Sequence, residues 1–173
     1  VKAGVVGAGL MGAEIALVFA LAGHDVLLHD RSGDALERAV ERLRGILDKG
    51  VSLKFYDAGE AKAALERIEP VDSLAEMAKC AMVTEAVYES LDAKVDVLRA
   101  LDETCAPGCI LATNTSTLPI STLAAFLTPD RRVRFLGTHY FSPVSRMELV
   151  EIIPAFATAP AIADEAIAIL EGI

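Results

Sequence analysis

No stretch of this chain stays apolar for the roughly 18 residues that a membrane span requires, and no basic segment followed by an apolar one opens it. The sequence therefore reads as neither membrane-embedded nor secreted, and a cytoplasmic location is expected. Basic residues are also in short supply: 16 Lys and Arg face 25 Asp and Glu, a net charge of −9. Without clustered Lys and Arg there is no surface to track a phosphate backbone, so nucleic acid is excluded as a partner. Any anionic ligand must be held by local groups against the overall field. Only three cysteines occur, Cys80, Cys105 and Cys109, and none has the His or Cys spacing of a zinc site, so no metal is expected. Cys105 and Cys109 flank a Pro-Gly turn where a bridge is conceivable, but reduced, structural thiols fit an acidic chain without a leader. Internal repeats and low-complexity tracts are absent. What is abundant is apolar residues, 53% of 173, with a mean hydropathy of +0.43. That is one domain's length with a deeply buried core.

Short Val/Ile/Leu runs at 3–6, 25–29, 82–86, 109–113, 133–138 and 149–153 alternate with helical patterns. Such alternation implies βαβ units, a mostly parallel sheet covered on both faces and, with right-handed crossovers, a doubly wound α/β fold of the Rossmann type spanning residues 1–173. The stretch 33–68 is too long for one crossover helix. Gly50 and Gly59 punctuate it, which predicts two helices, 34–49 and 58–67. They form a projecting hairpin, a clamp over a nucleotide edge; the alternative is an amphipathic pair packed flat on the sheet.

The first strand runs into Gly7-Ala8-Gly9-Leu10-Met11-Gly12 and a helix over 12–22. This is the G-x-G-x-x-G turn of a dinucleotide site: Gly7 serves the tight turn, Gly9 lets backbone N–H groups approach a pyrophosphate, and Gly12 allows close helix–strand packing. Leu10 and Met11, inside this turn, are placed at the cofactor with the glycines, and the helix that follows points its positive end at the phosphates. The second strand ends in Asp30, about 20 residues on, where a carboxylate accepts the ribose hydroxyls. Asp30 favours NAD over NADP by repelling a 2′-phosphate, and Arg31 beside it softens that repulsion.

Further chemistry collects at strand ends, where open parallel sheets bind ligands. Glu89 and Lys94 follow one strand and can line the cleft; as charges at a helix start they are otherwise ordinary. Asn114, Thr115 and Ser116 tip the next strand, facing the cleft or capping the helix opened at Pro119. His139 ends a later strand and Glu151 lies within the last. A carboxylate inside an apolar strand is costly unless paired, and His139 is the obvious partner. The pair would hold one imidazole tautomer, as a general base requires, whereas His139 alone is as easily a core histidine.

These motifs, 7–12, 85–89 with Lys94, 114–116, and 139–143 with Glu151, resemble, in order and spacing, the N-terminal NAD-binding domain of the L-3-hydroxyacyl-CoA dehydrogenases. The resemblance covers nearly the whole chain. It implies oxidation of a 3-hydroxyacyl-CoA to the 3-ketoacyl-CoA in fatty acid β-oxidation, with NAD as cofactor and an acyl-CoA as substrate. It further implies His139 as base, Glu151 as its orienting partner and Ser116 as a hydrogen-bond donor to the reacting oxygen. Glu89 and Lys94 would sit at the nicotinamide ribose, with Asn114 and Ser142 at the cofactor. Ser142 stands where the family usually has Asn, whose amide contacts the cofactor, so one hydrogen bond is expected to be shortened or replaced by water. Family members add a C-terminal helical domain carrying a further catalytic asparagine, most of the acyl pocket and the homodimer interface; that domain is expected to lie outside these residues. The alternatives are a relative acting on carnitine or another non-CoA hydroxy acid, and a non-catalytic NAD-binding fragment.

Overall fold

Seven runs rich in β-branched and apolar residues pair into one sheet, described by a computed structural model covering residues 1–173. In chain order the elements are β1 (Lys2–Val6), α1 (Leu10–Leu21), β2 (Asp25–His29), α2 (Gly33–Ser52), α3 (Ala58–Glu66), β3 (Ile68–Val71), β4 (Met82–Glu85), α4 (Leu91–Thr104), β5 (Ile110–Thr113), α5 (Ile120–Ala124), α6 (Pro129–Arg132), β6 (Phe135–Tyr140), β7 (Val150–Pro154) and α7 (Pro160–Leu170). Short 3₁₀ helices occupy Leu74–Lys79 and Val144–Arg146. The strand order is β3-β2-β1-β4-β5-β6-β7; only β7 runs antiparallel. The order reverses between β1 and β4, and a doubly wound sheet opens its ligand crevice at such a switch point.

β3 is an element that periodicity does not reveal. It follows α3 directly and contains Pro70, which reads against a strand. Proline is tolerated there because β3 is an outer strand, paired only with β2.

Apolar residues on the two faces of the sheet form two separate cores. One joins β-strand residues such as Val5, Leu28 and Ile110 to α1, α2, α3 and α7; the other joins Val83, Leu111 and Phe135 to α4 and α5. Helix α1 is apolar on every face except for Glu14, with Gly12 through Ala20 buried. A helix of that kind needs cover on every side, and the α2–α3 hairpin supplies it. Its stripe of Leu36, Ala39, Leu43 and Leu47 packs inward. The hairpin therefore lies along α1 as an extra layer rather than flat on the sheet, and only its tip stands out, with Leu53 and Phe55 about half exposed. A capping box at Asp57 and Glu60 starts α3, each side chain bonding the other's backbone N–H.

Candidate active site

Gly7 and Gly12 are required by the fold itself. Gly7 has φ of +105°, and a Cβ there would lie 2.5 Å from the Ala86 carbonyl oxygen; a Cβ on Gly12 would lie 1.8 Å from the Gly7 oxygen. Gly9 differs, because a Cβ there would meet nothing within 4 Å. Its bareness serves no protein contact and leaves room for a ligand. The first N–H groups of a helix lack intrahelical partners, and α1 has neither a side-chain cap nor an acidic residue in its first turn. An unshielded positive end thus faces the switch point, where an anion belongs.

Asp30 is already at work before any ligand arrives. Its Oδ2 accepts the Ala8 N–H at 2.8 Å and its Oδ1 accepts the Ser32 N–H at 2.9 Å. These bonds tie the glycine turn to the end of β2, and a carboxylate's remaining lone pairs are free for two ribose hydroxyls. A cavity of about 840 Å³ runs between them, lined by Gly7, Gly9, Leu10, Met11, Asp30, Arg31 and Arg38 on one side and Val87, Tyr88 and Val97 on the other. It meets a second chamber of about 410 Å³ at Met11, Ala86 and Val87. The second chamber collects Glu89, Lys94, Asn114, Ser116, His139 and Ser142. Two unequal chambers sharing a waist suit a dinucleotide: adenosine with Asp30, pyrophosphate at the α1 terminus, and the second nucleoside beyond.

The hydroxyls at the end of β5 divide by strand alternation. Thr113 donates to the buried Glu85 at 2.7 Å, and Thr115 and Thr117 both donate to Glu89, while Asn114 and Ser116 turn to the chamber. Thr115 also accepts the N–H of Leu118 at 3.0 Å, so part of this run does stabilise the turn before Pro119. Asn114 accepts the Tyr140 N–H through its Oδ1 at 3.1 Å. That fixes the amide's orientation and leaves its NH₂ as the donor for a ligand.

Lys94 has a different position from the one its sequence context suggests. Its side chain is 1% exposed, and its Nζ donates to Glu85 at 2.9 Å and to the Val87 carbonyl at 3.3 Å while pairing with Glu89 at 3.2 Å. All three ammonium protons are engaged. Lys94 therefore acts on the chamber through Glu89, which it aims. Burial alone would raise the Glu89 carboxyl pKa, but hydrogen bonds from Thr115 and Thr117 and the Lys94 charge outweigh it and hold the group below its ordinary value. The hub of this network, Glu85, is fully buried and also accepts the Val87 N–H at 2.7 Å. Sequence reasoning gave Glu85 no role, although a lone carboxylate ending an apolar strand nine residues before a lysine is the signal that marks it.

His139 and Glu151 face each other across the β6–β7 ladder, and His139 Nδ1 lies 2.8 Å from Glu151 Oε2. A carboxylate selects the tautomer with hydrogen on Nδ1, so Nε2 keeps its lone pair. The pairing arises by a different route from the expected desolvation. The Glu151 side chain is 50% exposed on the outer strand, and cross-strand register brings the two together. Phe141 stands edge-on to the imidazole, with ring centroids 4.6 Å apart, which narrows its motion. The three cysteines are free and buried, and no cluster of His, Cys, Asp or Glu is arranged to hold a metal ion. No helix is long and apolar enough to cross a membrane.

The family model of the 3-hydroxyacyl-CoA dehydrogenase NAD-binding domain matches residues 2–173. The chain belongs to this family. NAD is accordingly its cofactor, and the bare Gly9, the open α1 terminus and Asp30 fit it. Among curated relatives, 3-hydroxybutyryl-CoA dehydrogenase of Bradyrhizobium diazoefficiens is 41% identical over 157 residues, covering 91% of this chain and 53% of that protein. 3-Hydroxyadipyl-CoA dehydrogenase of Escherichia coli is 37% identical over 161 residues, covering 93% of this chain and 34% of that protein. The crystal structure of (S)-3-hydroxybutyryl-CoA dehydrogenase from Ralstonia eutropha superposes with a TM-score of 0.95 at 32% identity, covering 99% of this chain and 60% of that one. The chain thus spans between about a third and three fifths of these proteins.

Proposed function

We propose that this chain is the cofactor-binding and catalytic-base part of an NAD-dependent 3-hydroxyacyl-CoA dehydrogenase, oxidising an L-3-hydroxyacyl-CoA to the 3-ketoacyl-CoA in fatty acid β-oxidation. The observation carrying the reading is the His139–Glu151 pair at 2.8 Å with His139 lining the smaller chamber. NAD bound along the cleft supplies the hydride acceptor. The Nε2 lone pair of His139 takes the proton of the substrate hydroxyl as the C3 hydride departs, and Glu151 holds the ring in the tautomer that allows this. Ser116 donates a hydrogen bond to the reacting oxygen, and Asn114 and Ser142 hold the cofactor's amide end. Glu89, aimed by Lys94, accepts from the nicotinamide ribose. The acyl pocket comes from sequence beyond the part matched here, so the 173-residue chain binds NAD but turns over acyl-CoA poorly by itself; loss of positioning removes several kcal/mol of transition-state stabilisation.

The test is acetoacetyl-CoA reduction by the product of the complete reading frame carrying His139→Gln. Removal of a general base is expected to lower kcat about 10²–10⁴-fold with NADH affinity unchanged. Turnover within about threefold of the parent would overturn the assignment of His139 as base, since proton transfer contributes more than that.

A further inference from the structure

Glu14 sits in the middle of α1, is 6% exposed, and takes part in no ion pair. A buried carboxylate is costly unless it is hydrogen-bonded. Its partner is the backbone N–H of Ser145, 131 residues away in sequence and 3.0 Å from Oε2. Ser145 belongs to the connection between β6 and β7, which leaves His139 at one end and returns to Glu151 at the other. That connection also carries Phe141 and Ser142, both lining the smaller chamber. Most of it is exposed: Pro143, Met147, Glu148 and Leu149 face solvent. Val144 is buried against the α1 side of the core, and the Arg146 guanidinium lies 4.1 Å from the Phe55 ring centre at the hairpin tip. Glu14 supplies the directional bond among these anchors. Three residues before it on α1, and so on a neighbouring face, is Met11, which lines both chambers.

We propose that Glu14 is a positioning residue for the nicotinamide: its carboxylate fixes the β6–β7 connection to the helix that carries the glycine turn, setting the width of the smaller chamber. A helix anchored at the pyrophosphate thereby places Phe141 and Ser142 over the other end of the same cofactor. The proposal rests on the reading that the nicotinamide occupies the smaller chamber.

The experiment compares NADH with ADP-ribose, which keeps both riboses and the pyrophosphate and lacks only the nicotinamide, by calorimetry on this chain. Glu14→Leu keeps the volume and removes the acceptor; Glu14→Gln keeps an oxygen at the same reach. Glu14→Asp shortens the reach and serves in place of the leucine variant if that one fails to fold. The parent is expected to bind NADH more tightly than ADP-ribose. In Glu14→Leu, NADH affinity is expected to fall about tenfold, the value of one lost hydrogen bond to a charged group, with ADP-ribose binding unchanged and with the glutamine variant restored. A leucine variant that keeps the parent's preference for NADH, or loses both ligands equally, overturns the role of Glu14. A parent that binds the two ligands equally overturns the nicotinamide placement on which that role rests.

Discussion

Replacing Lys94 with methionine removes the ammonium while keeping most of the stem, and the effect on stability follows from what is left behind. Glu85, at 0% exposure, retains the Val87 N–H and the Thr113 hydroxyl but loses its only cation. Breaking a buried pair from one side costs about 3–5 kcal/mol, because an uncompensated charge stays in the interior. For a domain of this size each kcal/mol moves Tm by about 2–4 °C, so a loss of about 6–20 °C is expected. The total stability of such a domain is about 5–15 kcal/mol, which makes the variant marginal at 37 °C. The assay is thermal unfolding by circular dichroism at pH 7 with Glu85→Leu and the double variant alongside. The double variant is expected to recover much of the loss, since an apolar pair of similar volume replaces an ion pair at little net cost. A Lys94→Met variant melting within about 2 °C of the parent would refute the claim that this lysine is spent internally.

Gly12→Ala is expected to destabilise the fold by several kcal/mol, because the added carbon would lie 1.8 Å from the Gly7 oxygen, whereas Gly9→Ala leaves Tm unchanged and weakens NAD binding, as its methyl occupies only ligand space; melting curves and NAD titration separate the two. None of the thiols is expected to react with an aromatic disulfide reagent until the chain unfolds, because all three are buried and desolvation raises the Cys80 pKa to about 12. A fast-reacting thiol in the native protein would contradict this. Glu89 has a folded pKa below its ordinary value, so the stability it contributes is fully present above the unfolded pKa of about 4.3 and is lost as pH falls through the lower folded one. Tm of Glu89→Gln is expected to depend less steeply on pH below about 4.5, read from melts across that range.

The doubly wound topology was legible because its carriers are local. Apolar runs, a glycine turn and an acidic strand end each declare themselves within a few residues. What sequence could not show is which groups satisfy one another. Lys94 and Glu89 read as cleft residues of equal standing, yet one is buried and aims the other, and the hub between them is Glu85. The hydroxyl run after β5 serves both readings at once, since Thr115 braces the turn while Ser116 faces the chamber. The His139–Glu151 contact was anticipated on an energetic ground that the exposed Glu151 does not bear out; strand register delivers it instead. β3 escaped notice because proline masks a strand that has only one partner. Glu14 escaped because the donor it meets is a backbone group far along the chain.

The most direct measurement is the crystal structure of this chain with NAD bound. The expected result places the adenine ribose hydroxyls on Asp30, the pyrophosphate against the first N–H groups of α1, and the nicotinamide in the chamber lined by Asn114, Ser116, His139 and Ser142, with its reactive face open toward His139 Nε2. A dinucleotide whose nicotinamide leaves that chamber, or whose reactive face is turned away from His139, would contradict the account.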